Sequence, residues 1–352
     1  MFFVTNIKIF LKLLISVFFY FFKLKRIKKI ETPAKSLEII LDPSLGIGDL
    51  IMLSDSITIA LDNYEEVTIF SHFKNPFVDD LNWVHLDKKS FFKDFNRFHE
   101  QNSSLFIPRA SPLLLLNLFS TKIRQLSSFN LSSDYFFSSN RRGLSRYSSQ
   151  NYILMGNEQI EILLDGNISA PRKNKLTLKS SYIDLPKRFF ILSPSAHENI
   201  RQLTASHWKD ISLQLKHKGE IVLIGSEKDL KENIEISKKI EEKLEKVINL
   251  TGQTSFEQLV YCLENSEAVI CVDNGPFHLA RYLGKKTLSF FGPTNPSHRS
   301  IGETNLLFGY QEDLCPKGLS PCAKPVRKQK CPFNKECLYK QDISNSIKLL
   351  NL

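Results

Sequence analysis

The sequence predicts an α/β fold made of two doubly wound parallel sheets, and three observations carry that expectation. From Phe189 to Phe291 short apolar, β-branched runs alternate strictly with helical patterns, as in a parallel sheet covered on both faces. A weaker version of the same alternation runs from Leu37 to Ile107. At 352 residues the chain exceeds what one hydrophobic core spans, so two domains are expected.

Taken in order, the chain opens on an aromatic, basic segment, residues 1–30. Phe2 to Phe22 is almost wholly apolar, but Lys8 and Lys12 interrupt it and leave a run too short for a comfortable membrane span. Thr5, Lys8, Lys12, Ser16 and Tyr20 form one polar stripe on a helix, and Lys23, Lys25, Arg26, Lys28 and Lys29 follow directly. This pattern describes an amphipathic anchor lying in the surface of an anionic leaflet. A single tilted transmembrane helix is the competing reading. A signal peptide is disfavoured, because the charged start and the small-residue cleavage site are missing.

The first domain is expected over 36–165. Leu37 to Leu41 is a strand, and Asp42-Pro-Ser-Leu-Gly-Ile-Gly-Asp49 turns it into a helix from Leu50 to Leu61. Gly46 and Gly48 lack the third glycine of a dinucleotide fingerprint, and Asp49 on local chemistry alone is a helix cap. Glu66–Phe70, Trp83–Leu86 and Ser104–Ile107 read as further strands, and Leu113–Phe119 as a buried helix. Ser120–Gln150 carries Arg124, Arg141, Arg142 and Arg146, and is either a solvated surface or a basic floor for an anionic ligand. Residues 151–165 look helical, and 166–185 form the crossover.

The second domain, 186–310, reads strand Phe189–Pro194, helix Thr204–Lys218, strand Glu220–Gly225, helix Asp229–Lys246, strand Val247–Leu250, and a helix Ser255–Asn265 capped near Thr254. The strand Val269–Val272 then meets Asp273, Asn274 and Gly275, and Pro276 suits a first helical position. A helix N-terminus is thereby aimed out of the carboxyl edge of the sheet, where backbone N–H groups and the positive dipole end suit phosphate, with His278 one turn inside. Lys286–Gly292 is a last strand, closed by the rigid turn Gly292-Pro-Thr-Asn-Pro296. Nucleotides bind at the carboxyl ends of such strands, and Gly225 and Thr251 lie in turns on that edge.

Cys262 and Cys271 fall in core elements. Cys315, Cys322, Cys331 and Cys337 lie in a tail, 311–352, at spacings unlike the paired arms of usual zinc sites, so metal binding with a structural role is a minor reading and no sulfur chemistry is expected. The formal net charge of +10 asks for an anionic partner or surface. No zinc-finger spacing, RNP-like motif or continuous basic helix supports nucleic acid.

With these motifs in this order, the chain resembles the heptosyltransferase family of GT-B glycosyltransferases, family 9, which build the inner core of bacterial lipopolysaccharide. Asp273 to Ala280 stands intact for the family's Asp-(Thr/Asn)-Gly-Pro-x-His-Leu-Ala, and Phe291 to Pro296 for its Phe-Gly-Pro-Thr-x-Pro. Arg201 to Trp208 matches its Lys-x-Trp-Pro-x-x-His-Trp with departures: Arg201 replaces the lysine, Leu203 the tryptophan and Thr204 the proline, while Ser193-Pro-Ser195 replaces a Pro-Gly pair upstream. The resemblance is strong over 189–300. It implies two Rossmann-like domains facing each other across a cleft, the first holding the acceptor and the second a nucleotide sugar. The tail is expected to pack back towards the first domain.

The implied function is an inverting, metal-independent transfer without a cofactor, moving heptose from ADP-heptose onto a lipopolysaccharide core or related anionic glycolipid. The implied place is the cytoplasmic face of the bacterial inner membrane. By resemblance Asp49 is the general base, so that residue carries two readings. Arg201 neutralises the leaving diphosphate, which rests on the amides around Asn274, Gly275, Pro276 and Phe277. Asp273 binds sugar hydroxyls and His278 the sugar or phosphate, while Ser195, Gly225 and Thr251 complete the donor pocket. Gly46, Gly48, Arg141, Arg142 and Thr294 are assigned to the acceptor. The departures at 193–195, 203 and 204 leave another nucleotide sugar open as donor. Two rival classes are a non-catalytic nucleotide-sugar-binding protein and a sugar-nucleotide epimerase of the same architecture.

Overall fold

The structure, a computed structural model, describes residues 35–99, 103–108, 125–128, 151–164, 175–315, 331 and 333–351. The proposed anchor at 1–30, the helix at Leu113–Phe119, Arg124, Arg141, Arg142, Arg146 and Cys322 lie outside the described residues. Two compact units divide between Thr177 and Leu178, within the stretch assigned to the crossover. Among the described residues no helix is long and apolar enough to cross a membrane.

The first unit is a parallel sheet built from β1 (Ser36–Leu41), β2 (Glu66–Ser71), β3 (Asn82–His85), β4 (Ser104–Ile107) and β5 (Gln125–Ser128), in spatial order β3-β2-β1-β4-β5. Leu37, Ile39, Ile40 and Leu41 are all fully buried, which is why β1, at the centre, reads as a continuous apolar run. The one acidic residue in it, Glu38, pairs with the buried ring of His99. The helix after β1 differs from the single one expected: α1 (Ile47–Met52) and α2 (Ser54–Asn63) are separated at Leu53, whose N–H is shared between the carbonyls of Asp49 and Leu50. Two elements were not anticipated, helix α3 (Phe91–Phe98) and strand β5, which pairs with β4 inside the stretch read as irregular. Helix α4 (Tyr152–Leu163) packs on α2, where Gly156 lets the chains approach so closely that a Cβ there would lie 2.3 Å from the Ser56 hydroxyl.

The second unit has six parallel strands: β6 (Phe189–Ser193), β7 (Glu220–Leu223), β8 (Ile248–Asn249), β9 (Ala268–Val272), β10 (Thr287–Phe290) and β11 (Leu306–Gly309). Their order, β11-β10-β9-β6-β7-β8, reverses direction between β6 and β9, which is the doubly wound topology with its ligand-binding switch point between those two strands. Helices α5 (Ala205–Leu215), α6 (Leu230–Glu241), α7 (Phe256–Asn265) and α8 (Gly275–Tyr282) alternate with the strands as expected, although α6 stops at Glu241 and β11 was not foreseen. Ser255, not Thr254, caps α7, accepting the N–H of Gln258 at 3.2 Å. Pro276 takes the second helical position of α8, because Asn274 is the cap and Gly275 the first residue.

Helices α9 (Glu336–Tyr339) and α10 (Ile343–Lys348) belong to the tail. The expectation that the tail returns to the first domain is corrected for its described residues. Leu338, Ile347 and Leu350 are buried in the same core as Trp208 of α5 and Leu288 and Phe290 of β10. These three apolar side chains have a place to bury where they are, and they complete the second core.

Candidate active site

The site is built at the switch point, from the ends of β6 and β9. Asn274 joins them. Its amide donates to Ser193 O at 3.1 Å, to Ser193 Oγ at 2.9 Å and to Ser195 O at 2.9 Å, while its carbonyl oxygen accepts the N–H of Phe277 at 3.1 Å. This one side chain therefore caps α8 and ties two neighbouring strand ends together. It also narrows the expected diphosphate cradle. Pro276 has no N–H and that of Phe277 is committed to the cap, so the backbone donors of this turn reduce to those of Asn274 and Gly275.

Asp273, the last residue before the cap, is 3 % exposed and is the centre of a charge cluster. Arg201 Nη1 lies 3.2 Å from its Oδ2, Arg299 Nε 3.7 Å from its Oδ1, and His278 Nε2 3.9 Å from Oδ1. Burial pushes the Asp273 carboxyl up, but Arg299, then Arg201 and His278, with a hydrogen bond from Thr294, outweigh it and hold the group below the usual carboxylate range. His278 goes the other way. Burial, with the nearby arginines, lowers it to about 3 against the pull of Asp273, so the ring is neutral. Its Nδ1 is buried without a hydrogen-bond partner.

Arg201 stands in a short 3-10 turn, Asn199–Arg201, and also grips Glu198 Oε2 at 2.8 Å. Arg299 follows a second 3-10 turn, Pro296–His298, in the loop after β10. That loop is fastened from α8, where the buried Arg281 pairs with Glu303 at 2.6 Å and Glu303 in turn accepts the N–H of Ile301 at 2.7 Å. Two guanidinium groups thus converge on one carboxylate from two loops on the carboxyl edge, and neither is fully exposed. An anion arriving there would find fork-shaped donors already gathered.

The remaining donor-side residues meet around a side chain that the sequence pattern does not single out. Asn233 of α6, fully buried, accepts from Ser195 Oγ at 3.1 Å and donates to Thr251 Oγ1 at 2.8 Å and Ile224 O at 3.3 Å. Ser195, Gly225 and Thr251 are brought together as expected, but both hydroxyls are engaged with Asn233. Gly225 is required by this packing, since a Cβ would sit 2.6 Å from the Asn233 amide. Gly252, in the same turn as Thr251, has φ +71° and its N–H reaches Gly225 O at 2.9 Å, joining the two turns.

Thr294, assigned to the acceptor, contacts Asp273 within the second unit. In the first unit, Asp49 Oδ2 accepts the N–H of Gly46 at 2.8 Å, closing the first turn of α1, with Gly46 exposed and Gly48 buried. Asp49 is therefore not the N-cap that local chemistry suggests: Gly46 is the cap, and Asp49, the third helical residue, closes the turn from inside the helix. Arg299, Asn233 and the Arg281–Glu303 pair are the residues sequence reasoning missed. The Phe-Gly-Pro-Thr-x-Pro turn was the available signal for Arg299, three residues past its end. Among the described residues no group of three or more His, Cys, Asp and Glu is placed to hold a metal ion.

A protein-family model described as glycosyltransferase family 9 (heptosyltransferase) matches residues 125–318, more than half of the chain. Lipooligosaccharide heptosyltransferase 2 of Haemophilus influenzae is 33 % identical over 79 residues, a stretch that spans 22 % of this chain and 23 % of that relative. The solved family 9 glycosyl transferase of Veillonella parvula superposes with a TM-score of 0.64 at 14 % identity, covering 91 % of this chain and 98 % of that one. The heptosyltransferase WaaC of E. coli, solved with ADP, gives 0.61 at 14 % identity over 90 % of this chain and 98 % of its own. These likenesses show the GT-B fold class expected from the sequence. The chain belongs to glycosyltransferase family 9, the heptosyltransferase family.

Proposed function

We propose that this protein is an inverting glycosyltransferase that moves heptose from ADP-heptose onto a lipopolysaccharide core or similar anionic glycolipid. The observation that carries the reading is the meeting of Arg201 and Arg299 at Asp273, on the switch point of a doubly wound sheet. The transition state of glycosyl transfer pushes negative charge onto the departing diphosphate, and two guanidinium groups held in place take that charge where a metal ion would otherwise be needed. An adenine nucleotide is favoured because WaaC, of the same fold, was solved with ADP.

In this mechanism the acceptor oxygen attacks the anomeric carbon from the face opposite the diphosphate, the bond to the diphosphate oxygen breaks, and the acceptor proton passes to a carboxylate. Asp49 of the first unit is the proposed base. Asp273 and the neutral His278 accept or donate hydrogen bonds at the sugar. Residues 1–30 hold the enzyme to the anionic cytoplasmic leaflet where the glycolipid lies. Arg141 and Arg142 serve the acceptor's charges.

A donor panel tests this. ADP-heptose and ADP should raise the melting temperature while UDP- and GDP-sugars do not, and ADP should be released when a heptose-deficient lipopolysaccharide is added. A preference for a UDP-sugar, with turnover of the free sugar nucleotide in the absence of any acceptor, would replace this reading with the epimerase one. Pelleting with anionic vesicles, lost on deletion of residues 1–30, tests the anchor.

A further inference from the structure

The loop that carries Arg201 is held from outside itself. Within the loop, only two backbone bonds define the 3-10 turn, Arg201 N–H to Glu198 O at 2.9 Å and Gln202 N–H to Asn199 O at 3.1 Å. From the tail, Lys335 Nζ donates to Asn199 O and to Asn199 Oδ1, each at 2.7 Å, and to Gln202 O at 3.4 Å. An ammonium has three donors, and here three acceptors flank Arg201 on both sides, from the residue two before it and the residue after.

Lys335 is itself set with care. Asn334 and Lys335 have φ of +48° and +58°, a left-handed conformation that side chains other than glycine avoid, and two in succession persist only where surrounding contacts enforce them. The Lys335 ammonium also lies 5.1 Å from the centre of the Tyr339 ring. Tyr339 secures the first turn of α5, just beyond the loop. Its carbonyl takes a hydrogen bond from His207 Nε2 at 3.1 Å, and its ring stacks on the His207 imidazole with centroids 5.1 Å apart. The other ring nitrogen of His207, Nδ1, lies 2.6 Å from Thr204 Oγ1. The tail therefore holds the turn on both sides of Arg201 through Lys335, and the first turn of α5, just beyond it, through Tyr339.

We infer that Lys335 is a positioning residue for Arg201, fixing where its guanidinium stands beside Asp273 and hence how tightly the donor's diphosphate is bound. The inference rests on the reading of Arg201 as the cation that receives that diphosphate. Lys335 acts through its bonds to Asn199 and to the Gln202 carbonyl.

The test uses the full-length protein and ADP as the probe, read by calorimetry, together with the KM and kcat for ADP-heptose. Lys335→Met, which keeps an apolar stem and removes all three donors, should weaken ADP by about tenfold, as expected for a lost charge-assisted contact, and lower kcat/KM for ADP-heptose by at least as much, since Arg201 also takes up charge that develops on the leaving diphosphate. Lys335→Arg should recover most of the loss. In combination with Arg201→Ala, Lys335→Met should add nothing further, because its effect passes through that side chain. Losses that add in the double variant, or Lys335→Met binding ADP like the wild type, overturn the inference while leaving the donor site standing. Wild-type protein that binds no ADP, or that loses nothing on Arg201→Ala, overturns the donor reading and this inference with it. Should Lys335→Met fail to fold, Asn199→Ala removes one acceptor of the same contact from an exposed position, and an unchanged ADP affinity in that variant counts against the proposal.

Discussion

Each unit has a strand that turns into a helix with an aspartate at the turn, and the two aspartates are used differently. In the first unit Asp49 lies inside the helix, partly exposed, with its carboxylate folded back on the Gly46 amide. In the second, Asn274 does the capping, which frees Asp273 to stand just outside the helix among Arg201, Arg299 and His278. The difference teaches that a carboxylate at a helix start is available for other work only when a neighbour satisfies the backbone in its place. Backbone strain divides the same way: every residue with positive φ among the described ones, Gly252, Gly284, Gly302, Asn334, Lys335 and Asn351, belongs to the second unit.

The sharpest way to break this comparison is at Asp49. As the base it should lose about 10²- to 10⁴-fold in turnover on Asp49→Asn while ADP affinity is kept. As a turn-closing side chain alone, the change keeps an oxygen to accept the Gly46 N–H, so it should cost only about 0.5 kcal/mol from the lost charge at the helix start and leave turnover within a few-fold. Steady-state kinetics with a melting curve decide between them. Next in size, Asp273→Ala leaves the Arg201 and Arg299 guanidinium groups without their carboxylate, and should cost about 3 kcal/mol in denaturant unfolding.

A pH series sharpens the contrast further. In the unfolded chain His278 takes its proton near pH 6.5, but in the folded chain not until about 3. The unfolded state binds the proton first, so stability falls as pH drops through that window, by up to about 1.4 kcal/mol per pH unit for this one group. Asp273, whose carboxyl is held low by its cationic neighbours once its burial is outweighed, adds stability that is present above the unfolded carboxylate range and lost as pH falls through its folded value. His278→Gln should make the stability profile between pH 6 and 4 shallower by about one proton; an unchanged slope would place that proton elsewhere.

The smallest effects separate strain from crowding in the second unit. Gly284 has φ +70° and nothing within 4 Å of where a Cβ would stand, so Gly284→Ala should cost about 1 kcal/mol from conformation alone. At Gly252, φ +71°, the Glu227 backbone stands 3.1 Å from a Cβ, and Gly252→Ala should cost more. Equal losses in thermal melts would mean the two turns give equally.

The strands could be read in the sequence wherever both faces of the sheet are covered, because such strands are apolar throughout; β1, β6 and β9 are the clear cases. Strand β5, Gln125–Ser128, has no such run and lies among serines, so neither period nor hydrophobicity marks it. The site divides similarly. Asp273 and Asn274 could be found because a strand, a break and a helix start are local patterns. Arg299 and Lys335 could not be assigned, since their partners lie 26 and 133 or more residues away and only the folded chain brings them together. Asn233 read as one more polar residue of a charged helix, although it faces the core and joins three strand ends.

All six strands of the second sheet have been made once Gly309 leaves the ribosome, yet the clamp on the Arg201 turn waits for Lys335 and the hydrophobic interior for Leu350. Synthesis therefore delivers the carboxyl edge of that sheet before it delivers the parts that steady it. A nascent or clipped chain ending near Gly309 would carry Arg201, Asp273 and Arg299 in their proper order and lack the bonds that Lys335 makes on either side of Arg201, so the Arg201 turn is completed only with the final helical turns.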